Sequence, residues 1–176
     1  MKKLYLIIIL VLTINCSQKK TDKRITEFES ILGERQTKAL DNLVFDFEEN
    51  LIQIYPDLPI EKGYSQYLID IKSDTITKWD KFKFQSKNTI MEYYKSGLHD
   101  EIYNKDTTFL EANNIGKYMT ALYRIKDTDT LIKKYWKIRE AAGILPNTMF
   151  VDGILYHNPD FKNYFHKRIV VVEFSF

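Results

Sequence analysis

Apolar residues recur at helical spacing along most of this chain, and one stretch is especially regular. Its members follow one another at steps of three, one, three, four and three: Leu40, Leu43, Val44, Phe47, Leu51 and Ile54. This spacing places them on one face of an α-helix. The pattern therefore predicts a long helix from about Glu34 to Tyr55.

Two prolines follow this helix directly. Pro56 and Pro59 end it, because proline lacks the N–H that a helix interior requires. Beyond them the helical face is repeated by Tyr64, Tyr67, Leu68 and Ile71. The pattern predicts a second helix that forms an antiparallel hairpin with the first.

Capping-box signatures mark two further helix starts. The pair Thr26 and Glu29 predicts a short helix that ends near Gly33, and the pair Thr89 and Glu92 predicts one that ends at Gly97. Residues 73–85 are ambiguous: Trp79 and Phe82 have helical spacing, whereas Phe82 and Phe84 alternate with lysines as in an extended edge, and helix or irregular structure is favoured. Residues 104–114 are polar and predict a loop.

The C-terminal third carries more helical patterns. Spaced apolar residues predict a helix around Tyr118, Leu122 and Ile125, and another that begins at Asp129 or Thr130 and ends at Gly143. Residues 144–155 contain Pro146 and Gly153 and predict a loop. The segment Asn158-Pro159-Asp160 predicts a helix start.

The last apolar run leaves two alternatives open. Phe161, Phe165, Ile169 and Val172 have helical spacing, whereas β-branched residues within Ile169–Phe174 are also compatible with a short C-terminal strand. Helix is favoured because no partner strand is evident. The whole pattern predicts an all-α fold, an irregular bundle of five to seven helices in a single domain over residues 25–176.

The first sixteen residues have a different character. Lys2 and Lys3 precede an unbroken apolar run, Leu4 to Ile14, and the only cysteine of the chain follows at Cys16. A basic start before such a run is typical of a secretion signal. The run is too short to cross a bilayer, which takes about 20 apolar residues.

The end of the signal, Leu12-Thr13-Ile14-Asn15-Cys16, resembles the cleavage motif of bacterial lipoproteins. In its loose form it is similar to that of uncharacterised small lipoproteins of Bacteroidetes-type bacteria. The resemblance implies a signal peptide over residues 1–15, and an acylated Cys16 followed by a polar tether through residue 24. It also implies lipid anchoring by palmitate-like chains in the cell envelope, at the outer membrane, on its periplasmic or its surface face. The alternative is an ordinary signal peptide in which Cys16 is incidental.

The net charge of the chain limits the kinds of partner that it is expected to bind. The sequence has 26 basic and 24 acidic side chains, and removal of Lys2 and Lys3 makes the two sets equal. A neutral body argues against nucleic-acid binding. With a single cysteine there is no internal disulfide, so stability must come from packing, for which the 14% aromatic content supplies bulk.

No motif specifies a chemistry. The three histidines, His99, His157 and His166, lack the close spacing of a zinc helix, so no metal or other cofactor is predicted. The side chains of Glu48 and Glu49 are expected to diverge along a helix, and Asp127 and Asp129 are expected to mark a helix boundary. Neither pair is therefore expected to face each other across a substrate. The sequence favours a non-enzymatic protein.

The most suggestive surface is the aromatic and basic stretch that contains Tyr135, Trp136 and Arg139. These residue types anchor protein–protein contacts, so they form the candidate binding surface. The alternative is the edge of the core, wrapped by lysine stems. The leading hypothesis is an envelope lipoprotein that binds another protein or has a structural role. The others are an immunity-type lipoprotein that neutralises a toxin, and a cryptic hydrolase or sugar-binding module that uses tyrosines with Trp79 or Trp136.

Overall fold

A computed structural model of the chain describes residues 22–73, 83–104 and 110–175. These residues form nine α-helices: α1 (Lys23–Leu32), α2 (Glu34–Ile54), α3 (Ile60–Lys72), α4 (Lys87–Lys95), α5 (Leu98–Ile102), α6 (Lys117–Ile125), α7 (Thr130–Ala142), α8 (Asn147–Tyr156) and α9 (Tyr164–Glu173). A 3₁₀ turn, Lys126–Thr128, joins α6 to α7. The signal peptide, Cys16 and Trp79 lie outside the described residues.

The all-α prediction is confirmed. Within the described ranges, extended segments pair only at one isolated antiparallel bridge, between Tyr103 and Ala112. The alternative of a C-terminal strand is wrong, because α9 covers Tyr164–Glu173. The described residues form more helices than the predicted five to seven. The sequence of α5 and α8 has no clear apolar periodicity, so these two helices were not predicted.

The helix α9 lies in the centre of the molecule. Phe165 and the run Ile169–Val172 are almost fully buried, and α9 contacts both α2 and α7. A helix that is buried on nearly all sides is apolar all round, which gives its sequence the appearance of a buried strand. The environment of α9, and not its residue types, decides between helix and strand.

The predicted hairpin of α2 and α3 is confirmed. The Phe47 and Tyr67 rings are 4.8 Å apart at their centroids, and the Tyr64 hydroxyl donates to Glu48 over 3.2 Å. Gly63 faces Leu51, whose Cβ would lie 3.5 Å from a Cβ added at the glycine. Residues later in α3 contact residues earlier in α2, so the two helices are antiparallel.

Side-chain caps set several helix starts. Asp129 accepts from the backbone N–H groups of Leu131 and Ile132, and therefore caps α7 as predicted. Gly143 ends α7 with a φ of 69°. The other two caps differ from prediction: Asp22 caps α1 instead of Thr26, and Ser86 caps α4 instead of Thr89. The first helix thus begins at Lys23, inside the segment assigned to the tether.

The predicted loop at residues 144–155 is wrong, since α8 occupies most of it. Pro146 precedes the first residue of α8, a place where proline costs no hydrogen bond, and Gly153 lies within the helix. The predicted helix start at residues 158–160 is also displaced. Asn158 has a φ of 48°, outside the helical region, and α9 begins only at Tyr164, with Asn163 as its cap.

Candidate functional site

A cluster of polar side chains lies inside the molecule where α5, α7 and α9 meet. Arg139 of α7, which is only 2% exposed, forms an ion pair with Glu173 of α9. The Tyr135 hydroxyl donates to the same glutamate oxygen over 2.6 Å. We call these residues, together with Tyr103 and Tyr118, the buried polar cluster.

Aromatic rings surround the buried guanidinium. Arg139 lies 5.4 Å from the centroid of the Tyr103 ring, and the Tyr103 hydroxyl donates to the Val172 carbonyl over 3.3 Å. Burial would lower the pKa of Arg139, but Tyr135 and Glu173 outweigh it and raise that pKa. Burial raises the pKa of Tyr103 to about 12, against the opposing effect of Arg139. The buried Arg139–Glu173 ion pair therefore joins α7 to α9, and the same guanidinium donates to the Ile102 carbonyl of α5.

This arrangement corrects the candidate binding surface. Tyr135 and Arg139 are buried, and only Trp136 is half-exposed. The Trp136 indole N–H donates to the Met119 carbonyl over 3.1 Å, and the Lys126 ammonium lies 5.4 Å from the ring. The three side chains do not form one exposed surface. Their environment matches the other interpretation of the sequence, a core edge covered by lysine.

The structure reveals instead a groove on the opposite side of α7. It runs between α7 and α8 and has a small cavity volume of about 50 Å³. Its lining is predominantly apolar: Leu131, Tyr135, Ile138, Leu145, Met149, Phe150, Gly153 and Ile154, with Lys134 and His157 at its rim. We call it the α7–α8 groove. Sequence reasoning missed it because α8, which forms one wall, was predicted to be a loop.

The rim of the α7–α8 groove carries a cationic side chain. Lys134, which lines the groove, is exposed and forms no ion pair with another described residue. Its neighbour Lys133, by contrast, pairs with Asp127 over 2.7 Å. Two edge residues of the groove, Ile138 and Met149, are 40% and 59% exposed. The groove therefore offers an apolar surface beside a lysine.

The histidines occupy separate places in the fold. His166 accepts at Nδ1 from the backbone N–H of Asp160 over 3.0 Å, and its Nε2 lies 3.1 Å from the Asp129 carboxylate. His99 contacts Asp100, and His157 packs edge-on against Tyr156. Among the described residues no group of three His, Cys, Asp or Glu side chains is placed to hold a metal ion.

The paired acids diverge as predicted. Glu48 binds Lys167 over 2.5 Å, whereas its neighbour Glu49 is exposed to solvent. Asp127 pairs with lysines on the surface, and Asp129 caps α7. These carboxylates do not face each other across a common site.

Comparison with known proteins adds no relative to this description. No family model matches the chain, and no curated protein or solved structure has significant similarity to it. Within the described part of the chain, no helix has the length and hydrophobicity needed to cross a membrane.

Proposed function

We propose that the chain is a lipid-anchored lipoprotein of the bacterial envelope whose helical body binds another protein through the α7–α8 groove. Two features support this proposal. The first sixteen residues carry the basic start, the short apolar run and the cysteine of a lipoprotein signal. The second feature is the groove: exposed apolar side chains line a concave surface, which is typical of a binding site.

The occupant of the α7–α8 groove is a protein segment that presents an apolar side chain next to acidic residues. The apolar lining takes the side chain, as the centre of a protein interface does. The acidic residues pair with Lys134, which lacks an acidic partner among the described residues. Charge complementarity of this kind supplies specificity and speeds association.

The proposed role is non-enzymatic. It is supported by the lack of a catalytic motif in the sequence and by the positions of the polar side chains. Arg139 and Glu173 neutralise each other, and Asp129 is used in capping and in binding His166. These groups have structural roles that account for their burial.

The anchor is tested by replacing Cys16. In the wild-type protein, mass spectrometry of the N-terminal peptide should find an acylated Cys16 as the first residue, and the protein should remain with the membranes after a salt wash. The C16S variant should move to the soluble fraction. If C16S stays in the membranes as firmly as the wild type, the anchor is not at this residue.

Binding is tested with a photo-crosslinking amino acid at Met149, at the edge of the groove. The matched control carries the same group at Phe45, a similarly exposed position on α2 that does not line the groove. We expect an adduct with one protein from position 149 only, through an acidic peptide. The K134E variant should abolish it. An adduct that survives this charge reversal, or that forms equally from position 45, contradicts the proposal. A toxin as the crosslinked protein would identify the immunity-type role.

A further inference from the structure

A second surface of α7 combines aromatic rings with lysines. The rings of Tyr123 and Trp136 are 5.2 Å apart at their centroids, and the Lys126 ammonium lies 4.3 Å from the Tyr123 ring. Tyr123 is 51% exposed, whereas the Lys126 side chain is only 14% exposed. Lys126 and Lys133 both pair with Asp127, so the two lysines and this aspartate leave one net positive charge. We call Tyr123, Lys126, Lys133 and Trp136 the aromatic–basic patch.

The aromatic–basic patch lies near the place where the chain enters the folded body. The first helix packs mainly against α6, with Phe28 next to Tyr118 and Glu27 next to Arg124 over 3.9 Å. Arg24, in the first turn of α1, interacts electrostatically with Asp129, which follows α6 after the 3₁₀ turn, so the two helices are antiparallel. The first turn of α1, which begins at Lys23, is therefore level with the end of α6, where Tyr123 and Lys126 are located.

The length of the tether limits how far this end can be from an anchor. Cys16 precedes Asp22 by six residues, which span at most about 20 Å when fully extended. An acyl chain on Cys16 would thus hold the start of α1, and with it the neighbouring patch, close to the lipid headgroups. This step rests on the proposed lipid anchor.

The chemistry of the patch suits that location. Tyrosine, tryptophan and lysine concentrate at the membrane–water interface, because each joins an apolar body to a polar or charged end. Lys23, which is exposed in the first turn of α1, adds positive charge at the same end of the molecule. We infer that the aromatic–basic patch rests on the membrane surface, in contact with anionic phospholipid headgroups.

Helical geometry then orients the proposed binding site. On α7, Lys133 and Trp136 face one side, while Leu131, Tyr135 and Ile138 line the α7–α8 groove on the other. At about 100° per residue the two sets are centred half a turn apart. With the patch on the bilayer, the groove is directed away from the lipid and is open to a protein partner.

Spin labels at two positions test this orientation. Cys16 is the only cysteine and is acylated in the mature lipoprotein, so Y123C and M91C each introduce one free thiol. Met91 is a matched control: it is 47% exposed and precedes Glu92, which binds Arg35 at the start of α2, beyond the far end of α1. The purified lipoprotein is reconstituted at low density in vesicles of neutral phospholipid with one quarter phosphatidylglycerol.

We expect a water-soluble nickel chelate to relax the label at residue 123 several-fold less than the label at residue 91, and oxygen to relax it more. This protection should decrease in vesicles of neutral lipid alone. Equal accessibility of the two labels, or equal protection in neutral vesicles, overturns the inference. Protection that appears only at high protein density would indicate self-association and overturns it as well.

The same preparation separates the two proposals. If the protein does not float with the vesicles, the lipid anchor of the proposed function fails. If it floats while residue 123 is as exposed to the nickel chelate as residue 91, the anchor stands and the membrane-facing patch is overturned.

Discussion

Arg139 and Arg35 each pair with a glutamate, but in opposite surroundings. The side chains of Arg139 and Glu173 are 2% and 6% exposed, whereas those of Arg35 and Glu92 are 59% and 32% exposed. An exposed pair is screened by water and contributes little to stability. A buried pair is different, because removal of one partner leaves a charge without compensation in a poorly solvating interior.

We therefore expect Arg139→Met to lower the free energy of unfolding by about 3–5 kcal/mol. Arg35→Met, the matched control, should leave the urea midpoint nearly unchanged. Both are measured by urea denaturation at pH 7. A similar effect of the two substitutions would mean that the Arg139–Glu173 pair is hydrated and not buried.

A double-mutant cycle tests whether the two charges depend on each other. The variant R139M/E173L removes both charges, so neither is left unpaired, and its loss of stability should be smaller than the sum of the single losses. Additive losses in urea denaturation would show that Arg139 and Glu173 act independently.

Asp129 connects three parts of the molecule. It caps α7, contacts His166, and accepts from the Asn163 side chain over 3.3 Å. Burial would raise the pKa of Asp129, but hydrogen bonds from Ile132 and His166 outweigh burial and lower it. Because the folded state favours the carboxylate, the stability it provides is present above the unfolded pKa, about 3.9, and is lost as the pH falls through the folded pKa.

Asp129→Ala should cost about 1–2 kcal/mol of unfolding free energy at pH 7, the typical range for a lost helix cap. The cost should stay nearly constant from pH 6 to about 5 and shrink from there to about pH 3, because the unfolded chain takes up a proton at Asp129 while the folded state, with its lowered pKa, does not. Asp127→Asn should show much smaller effects, because Asp127 is exposed and solvent screens its pairs with Lys126 and Lys133. Urea denaturation across this pH range provides the measurement, and a cost independent of pH would contradict the assigned role of the charge.

The candidate site could be predicted from sequence only in part. The residue types of α7 marked Tyr135, Trp136 and Arg139 as unusual, and all three make specific contacts. Their burial could not be foreseen, because the partner that makes a buried arginine tolerable, Glu173, is 34 residues away. Long-range pairing of this kind leaves no trace in local periodicity.

At the scale of elements, regular apolar spacing was a reliable guide. The helices α2 and α7 were predicted close to their observed bounds, and α3 and α6 were predicted from their apolar faces, since each helix buries one face against the core and exposes the other. The short α5 and the mostly apolar α8 lack that contrast. Proline and glycine in the α8 region suggested a loop, although Pro146 stands at a position that starts a helix.

Gly153 offers a test of α8 as a stable helix. A Cβ added there would meet nothing within 4 Å, so Gly153→Ala should raise the unfolding free energy by about 0.5–1 kcal/mol through the helix propensity of alanine. Gly116→Ala is the contrasting control, because its Cβ would lie 2.3 Å from the Glu101 carbonyl oxygen. That variant should be clearly destabilised. If Gly153→Ala destabilises the protein in urea, residue 153 is not within a helix.

At the scale of the whole molecule, tyrosine supplies much of the buried volume. Burial, with further effects of nearby charges, raises the pKa of eight tyrosines: Tyr55, Tyr64, Tyr67, Tyr93, Tyr103, Tyr118, Tyr135 and Tyr164. These rings lie in, or pack against, one apolar core that several helices share. Ionisation of the unfolded chain therefore acts on the entire fold at once.

The sign of this effect predicts alkaline sensitivity. The folded state retains tyrosine protons that the unfolded chain releases near pH 10, so the stabilisation is complete below pH 10 and is lost as the pH rises towards the raised values. Each such tyrosine can remove up to about 1.4 kcal/mol of unfolding free energy per pH unit above 10. We expect the urea midpoint to fall steeply between pH 10 and 11.5.

Tyrosinate absorbance checks the mechanism. It should rise together with the loss of helical circular dichroism, because the buried rings ionise only when the core opens. Tyr103→Phe removes one of these groups, whose pKa is raised to about 12 by burial, and should make the decline of stability with pH shallower. Ionisation of most tyrosines while the helical signal stays intact would mean that the interior admits water, and the packing described for the core would have to be revised.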